Sequence, residues 1–323
     1  MVVRLNINIA VENNIKNTYF ITGVAGFIGS HIAEELLKNN NNLIIGIDNF
    51  YSGKKENLKM LKCDRFKFYE GDIRDFELLK KIIFTHKVQY VFHEAAIASV
   101  QKSVEDPLLT NEVNVKGTLN ILEASKQNNV KRIVYSSSCV VFGDEITLPK
   151  NENSIIAPIS PYGYEKLMSE QYMDLYNNLY GLETINLRYF NVYGSRQDYS
   201  SEYGGVISIF EDKFQKGTSP TIFGDGKQYR DYIYVKDIAR INIKAMHQKS
   251  KGMIRLICCG TGVKTSVNKL FDIFKNKHNK DLQANYVKAR EGEVKDSVCN
   301  NSRLIKLVKS EKVTKLEDGI LDL

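Results

Sequence analysis

Tyr162 and Lys166 stand four apart in Ser160-Pro161-Tyr162-Gly163-Tyr164-Glu165-Lys166, a spacing that stacks both side chains on one helix face. A free phenol ionises near pH ~10, so tyrosine alone is a poor base at neutral pH. A lysine ammonium beside it favours the phenolate and draws that pKa towards the range where a general base is useful. Ser138, 24 residues before Tyr162, adds a hydroxyl at the end of the apolar run Ile133-Val134-Tyr135. An ordinary helix face can also carry a tyrosine and a lysine, so the surrounding elements decide the reading.

Pro161 suits the first turn of a helix, and Ser160 before it can cap the free N–H groups, which predicts a helix over Pro161–Leu179. Upstream, Tyr19-Phe20-Ile21-Thr22 reads as a buried strand leading into Gly23-Val24-Ala25-Gly26-Phe27-Ile28-Gly29 and a helix over Ser30–Leu37. Glycines at that spacing permit a tight turn, a close approach of the backbone to a pyrophosphate, and close helix–strand packing. Any tight turn also favours glycine. The strand before, the helix after and an acid at the right distance make this a dinucleotide site.

That acid is Asp48, followed by Asn49, at the end of Leu43-Ile44-Ile45-Gly46-Ile47. A carboxylate there can bind ribose hydroxyls and repels a 2′-phosphate, which favours NAD over NADP; a loop-capping Asp is the other reading. Asp72 and Ile73 follow a third strand, Phe66–Tyr69, where Asp72 can reach an adenine or simply make a turn. Val91-Phe92 runs into His93-Glu94-Ala95-Ala96, whose small Ala95 and Ala96 suit close contact with a cofactor. A long helix is expected over Asn111–Asn128, and Ile254–Ile257 reads as a late strand returning to the main sheet. This alternation predicts an α/β fold: a doubly wound parallel sheet (Rossmann) with a smaller C-terminal α/β substrate-binding domain. The expected division is 17–190, with 231–260 returning to it, against 191–230 and 261–323. In the second part Tyr199–Gly205 reads as a loop and Val206–Phe214 as a helix.

Composition bounds the function. The 323 residues are 43% hydrophobic and 26% charged, with net charge +7 spread along the chain and no long basic run. That argues for anionic small molecules and against nucleic acid. The five cysteines and five histidines show no metal-ligand spacing, so no metal is expected. Met1–Asn17 lacks the apolar core of a signal peptide, and no apolar stretch reaches the ~18 residues of a membrane span. A cytoplasmic protein with no membrane partner is the expectation.

Six motifs in order, GVAGFIG (Gly23–Gly29), SSSCVVFG (Ser136–Gly143), SPYGYEK (Ser160–Lys166), LRYFNVYG (Leu187–Gly194), GDGKQYRDYIYVKD (Gly224–Asp237) and REGE (Arg290–Glu293), resemble the extended short-chain dehydrogenase/reductase family. Within it they resemble the nucleotide-sugar epimerases, and most of all the UDP-glucose and UDP-N-acetylglucosamine 4-epimerases. The resemblance runs from about Thr18 to Arg303. It implies NAD as cofactor, Tyr162 as base, Lys166 lowering its pKa, and Ser138 bridging the sugar O4 and Tyr162. It also implies hydride transfer from C4, rotation of a 4-keto sugar about its pyrophosphate tether, and return of the hydride to the other face. Arg230 and Arg290 match the pyrophosphate-gripping arginines, Asn191 a phosphate contact, and Phe223 the strand along the uracil; Val206 joins this substrate set. A homodimer through the helices over Asn111–Asn128 and Pro161–Leu179 is implied as well. Relatives in the family usually continue the last helix past the point where this sequence has Leu323.

Two departures sharpen the reading. Related dehydratases and decarboxylases carry acids just after the position of Ser138, where this chain has Cys139 and Val140. Neither can do that acid–base work, which argues for simple epimerisation. Ser297 falls where glucose-restricted enzymes of the family carry a tyrosine, so a pocket open to 2-acetamido sugars is expected. Another nucleotide-sugar epimerase or reductase of this family, for instance a C2 epimerase, and a non-catalytic NAD-binding protein are the alternatives.

Overall fold

A computed structural model of the chain describes residues 15–197, 205–289, 296–309 and 311–323. Strands β1 (Asn17–Thr22), β2 (Asn42–Asp48), β3 (Phe66–Glu70), β4 (Tyr90–His93), β5 (Arg132–Ser138), β6 (Glu183–Tyr189) and β7 (Leu256–Cys259) form one sheet. Its order is β3-β2-β1-β4-β5-β6-β7 and every pairing is parallel. Both faces are covered, so β1 is apolar on both sides: Tyr19 and Ile21 enter one core and Phe20 the other. Helices α1 (Phe27–Leu37) and α2 (Val235–Met246) bury Ile32, Leu36, Ile238 and Ile241 in the first of these cores.

Winding reverses between β1 and β4, and at such a switch point a crevice opens beyond the strand ends. Two turns meet there. A Cβ on Gly23, which has φ +68°, would lie 2.8 Å from Ala95 N, and one on Gly29 would lie 2.3 Å from Gly23 O. Only bare backbone closes this junction.

The helix expected over Asn111–Asn128 is not continuous. A short helix at Pro107–Asn111 leads into a π-helical turn over Glu112–Lys116, and α-helix resumes over Gly117–Gln127. The Asn114 carbonyl accepts from Thr118 Oγ1 at 2.6 Å and from Ser169 Oγ at 3.1 Å, which occupies it where the helix widens. The helix expected from Ser30 begins at Phe27, and the late strand is displaced from 254–257 to Leu256–Cys259.

Away from the main sheet, a third core forms around Phe210 and Phe214 of one helix (Val206–Lys216) and Phe271 and Phe274 of another (Val267–His278). Their rings meet at 5.5–6.1 Å between centroids. Beside them Thr221–Phe223 pairs in parallel with Asn285–Val287.

Candidate active site

The helix Pro161–Tyr180 carries the candidate pair Tyr162 and Lys166. Ser160 Oγ accepts from Gly163 N at 3.2 Å, Pro161 sits in the first turn, and Gly181 closes the far end at φ +69°. Its buried face presents Tyr162, Glu165, Lys166, Ser169, Glu170 and Met173. Thus Tyr162 and Lys166 do share one face, and it looks towards the end of β5.

Lys166 Nζ donates to the carbonyl of Ser136 at 2.7 Å and lies 4.9 Å from the Tyr135 ring centre and 5.8 Å from that of Tyr162. One turn further, Glu170 makes a buried two-pronged pair with Arg188 at 2.9 and 2.7 Å and accepts from Ser137 Oγ at 2.5 Å. Helix and strand end are therefore clamped at Ser136 and Ser137, directly before Ser138, whose Oγ accepts from Val140 N at 3.2 Å.

The electrostatics differ from the sequence expectation. Burial pushes the Tyr162 phenol well above its ordinary value; a hydrogen bond with Ser138 draws it back only in part. Burial also lowers Lys166 to about 8, against the opposing pull of Glu94, Glu165 and Glu170. The lysine spends its charge on a carbonyl and three acids, and desolvation of the phenol is the larger effect.

One cavity of ≈ 470 Å³ is lined by Gly23, Gly26, Phe27, Ile28, Gly29, Asp48, Asn49, Asp72, Ile73, Ala95, Ala96, Ser138, Tyr162 and Lys166 together. Asp48 is committed to the loop it faces: its oxygens accept from Ala25 N at 2.9 Å and Phe50 N at 2.8 Å. Asp72 accepts from Asn49 at 2.9 Å and is paired with Arg74 at 2.8 Å, which holds it at about 2. NAD suits this lining: a backbone cradle without room for a Cβ, the open N-terminus of α1, and a buried carboxylate atom, Glu94 Oε1, with no hydrogen-bond partner among the described residues.

A second cavity of ≈ 270 Å³ is lined by Asn191, Val206, Phe223 and Arg230, and shares Val192 and Gln197 with the first. Asn191 Nδ2 donates to Asp231 O at 2.9 Å. The buried Asp231 carboxylate accepts from Thr261 N, Gly262 N and Cys299 N at 2.8–3.0 Å, which ties two segments to the arginine beside it. Ser297 is not in the lining of either cavity. It is half-buried, its N–H donates to Tyr229 O at 3.1 Å, and its hydroxyl is within reach of the Cys139 thiol. Arg290 and the segment 198–204, which holds most of the expected loop, lie outside the described residues.

Sequence reasoning passed over Glu94, Ser136, Glu165 and the Arg188–Glu170 pair. An acid directly after a buried strand was the available signal for Glu94; the rest are long-range partners. Among the described residues no group of three or more His, Cys, Asp or Glu side chains is arranged to hold a metal, and no helix is long and apolar enough to cross a membrane.

Comparison with known proteins places this architecture. The model of the NAD dependent epimerase/dehydratase family matches residues 19–257. A putative UDP-glucose 4-epimerase of Methanocaldococcus jannaschii is 47% identical over 275 residues, 85% of this chain and 87% of that protein. The solved UDP-N-acetylglucosamine 4-epimerase of Methanobrevibacter ruminantium, in complex with UDP-N-acetylmuramic acid, superposes with TM-score 0.89 at 37% identity, over 95% of this chain and 97% of that one. The Thermus thermophilus UDP-glucose 4-epimerase in complex with NAD gives 0.84 at 33% identity, over 94% and 97%. With its seven parallel strands, glycine cradle and Tyr–Lys helix, the chain belongs to the NAD dependent epimerase/dehydratase family, and its cofactor is NAD.

Proposed function

We propose that this protein is an NAD-dependent UDP-hexose 4-epimerase, working through a transient 4-keto sugar. Its substrates are UDP-N-acetylglucosamine and UDP-N-acetylgalactosamine, with UDP-glucose and UDP-galactose as the second pair. The observation that carries the reading is the convergence of Ser138, Tyr162 and Lys166 on the cavity that holds the glycine cradle, next to a second cavity containing Arg230 and Asn191. Relatives named as UDP-sugar 4-epimerases support the choice of C4.

Tyr162 takes the O4 proton, and Ser138 relays between O4 and the phenol. Lys166 stabilises the phenolate while it forms. Bound NAD supplies a reversible acceptor for the C4 hydride. Arg230 and Arg290 grip the pyrophosphate, a task for which the guanidinium fork suits phosphate oxygens, with Asn191 beside them. Phe223 and Val206 flank the uridine. The thiol of Cys139, pushed up to about 12 by burial, supports epimerisation without elimination, since nothing there delivers a second proton at neutral pH.

Ser297 is the basis for accepting an N-acetyl group. It interacts with Cys139, next to Ser138, and its small side chain lacks the ring by which a tyrosine would exclude that group. The protein acts as a homodimer: Tyr164, Met168, Leu175 and Leu179 form an exposed apolar stripe on the outer face of the catalytic helix, near exposed Val104 and Leu108. The five cysteines are free, and a reducing cytoplasm keeps them so.

The test is product analysis with each UDP-sugar. Conversion of UDP-N-acetylglucosamine to its C4 epimer is expected; turnover of neither sugar pair by NAD-loaded protein refutes the assignment.

A further inference from the structure

Lys166 is a buried ammonium whose only hydrogen bond among the described residues goes to a carbonyl dipole, Ser136 O at 2.7 Å. A buried charge without a counter-ion is costly, so the acids around it matter. Three face it. Glu170 is neutralised by Arg188, with 2.9 and 2.7 Å contacts, and takes a third bond from Ser137. Glu165 accepts from Thr110 Oγ1 at 2.6 Å and Asn114 Nδ2 at 2.7 Å, and it is the residue next to Lys166 on the helix, so the two side chains diverge.

Glu94 is left. It follows β4 and lines the same cavity as Tyr162 and Lys166, and its Oε1 is buried with no hydrogen-bond partner among the described residues. The hydroxyls of Ser136 and Tyr189 face it, and they bond each other at 2.9 Å, with Asn242 donating to Tyr189 at 2.7 Å. On the β4 side, His93 is fixed between Thr22 and Thr118 and lowered by burial, so it brings no charge.

We propose that Glu94 is a positioning residue of the reaction: its carboxylate is the counter-ion that keeps Lys166 protonated, and through Lys166 it sets how readily Tyr162 becomes a base. Of the groups that favour the Lys166 ammonium, Glu94 contributes most, ahead of Glu165 and Glu170. Burial in turn lifts Glu94 to about 7, so the pair sits near the balance point at neutral pH. The consequence for activity rests on the catalytic reading of Tyr162 and Lys166; the counter-ion role does not.

The test reads Lys166 directly. In NAD-loaded protein labelled with ¹³C at lysine Cε, the resonance missing from Lys166→Met is followed through pH. Glu94→Gln is expected to lower its titration midpoint by about one pH unit or more, because an anion lining the same cavity is lost. Glu94→Asp keeps the charge and is expected to restore it, and Glu94→Leu gives a second neutralised form in case the amide does not fold. The alkaline limb of kcat is expected to shift down with the midpoint. An unmoved midpoint in Glu94→Gln, or an Asp variant no better than Gln, overturns the proposal. A shifted midpoint in a protein that epimerises none of the sugars upholds the counter-ion while refuting the assigned reaction.

Discussion

Ser137 and Glu170 join the end of β5 to the helix of Tyr162 and Lys166 through a 2.5 Å hydrogen bond, one helical turn from the 2.7 Å contact of Lys166 with Ser136. Ser138, the next residue on the strand, is thereby held near the face that carries Tyr162, and strand end and helix line one cavity.

Removing the phenol hydroxyl tests the base. Tyr162→Phe is expected to lower kcat by about a hundred- to ten-thousand-fold, the usual worth of a positioned general base. NAD content and the melting temperature should hardly change, since the ring and its packing remain. Steady-state kinetics with cofactor quantification checks both.

Lys166 makes stability depend on pH in a definite direction. Its folded pKa is lowered from 10.5 to about 8, so the unfolded chain binds the proton more tightly between those values. Stability from this group therefore rises as pH climbs from about 8 towards 10.5. Wild type should gain ~1–3 kcal/mol over that window relative to Lys166→Met in denaturant titrations.

Much of the site could be read from local spacing. The glycine loop, Asp48 and the Tyr162–Lys166 pair are each set by contacts within a few residues or one strand–helix unit, and all reach one cavity. What escaped depends on partners distant in sequence. Burial of Tyr162 raises its pKa where the spacing alone suggested a lowered one. The π turn over Glu112–Lys116 depends on Asn114 meeting Ser169 across a helix pair. Ser297 proved to be tied to Tyr229 rather than in the lining of either described cavity. No local pattern encodes these.

The Arg188–Glu170 pair gives a stability prediction. Glu170→Gln leaves a buried guanidinium without its anion and is expected to cost ~3–5 kcal/mol. Replacing both by Leu and Met should cost much less, because no charge is then stranded. Chemical denaturation of the three proteins decides.

Sugar choice is tested at Ser297. Ser297→Tyr is expected to depress kcat/KM for the N-acetylated sugar by about 10–200-fold and to spare the glucose pair, in line with steric exclusion. Equal loss on both substrates would place Ser297 outside the sugar pocket.

The most direct measurement of the central claim follows deuterium placed at C4 of UDP-N-acetylglucosamine, with turnover in ordinary water. Epimerisation at C4 by a hydride that leaves and returns within the closed site predicts an epimer that keeps the deuterium at C4 and takes up none from solvent in the converse experiment. Loss of the label to water, or solvent hydrogen appearing at C2, would contradict it.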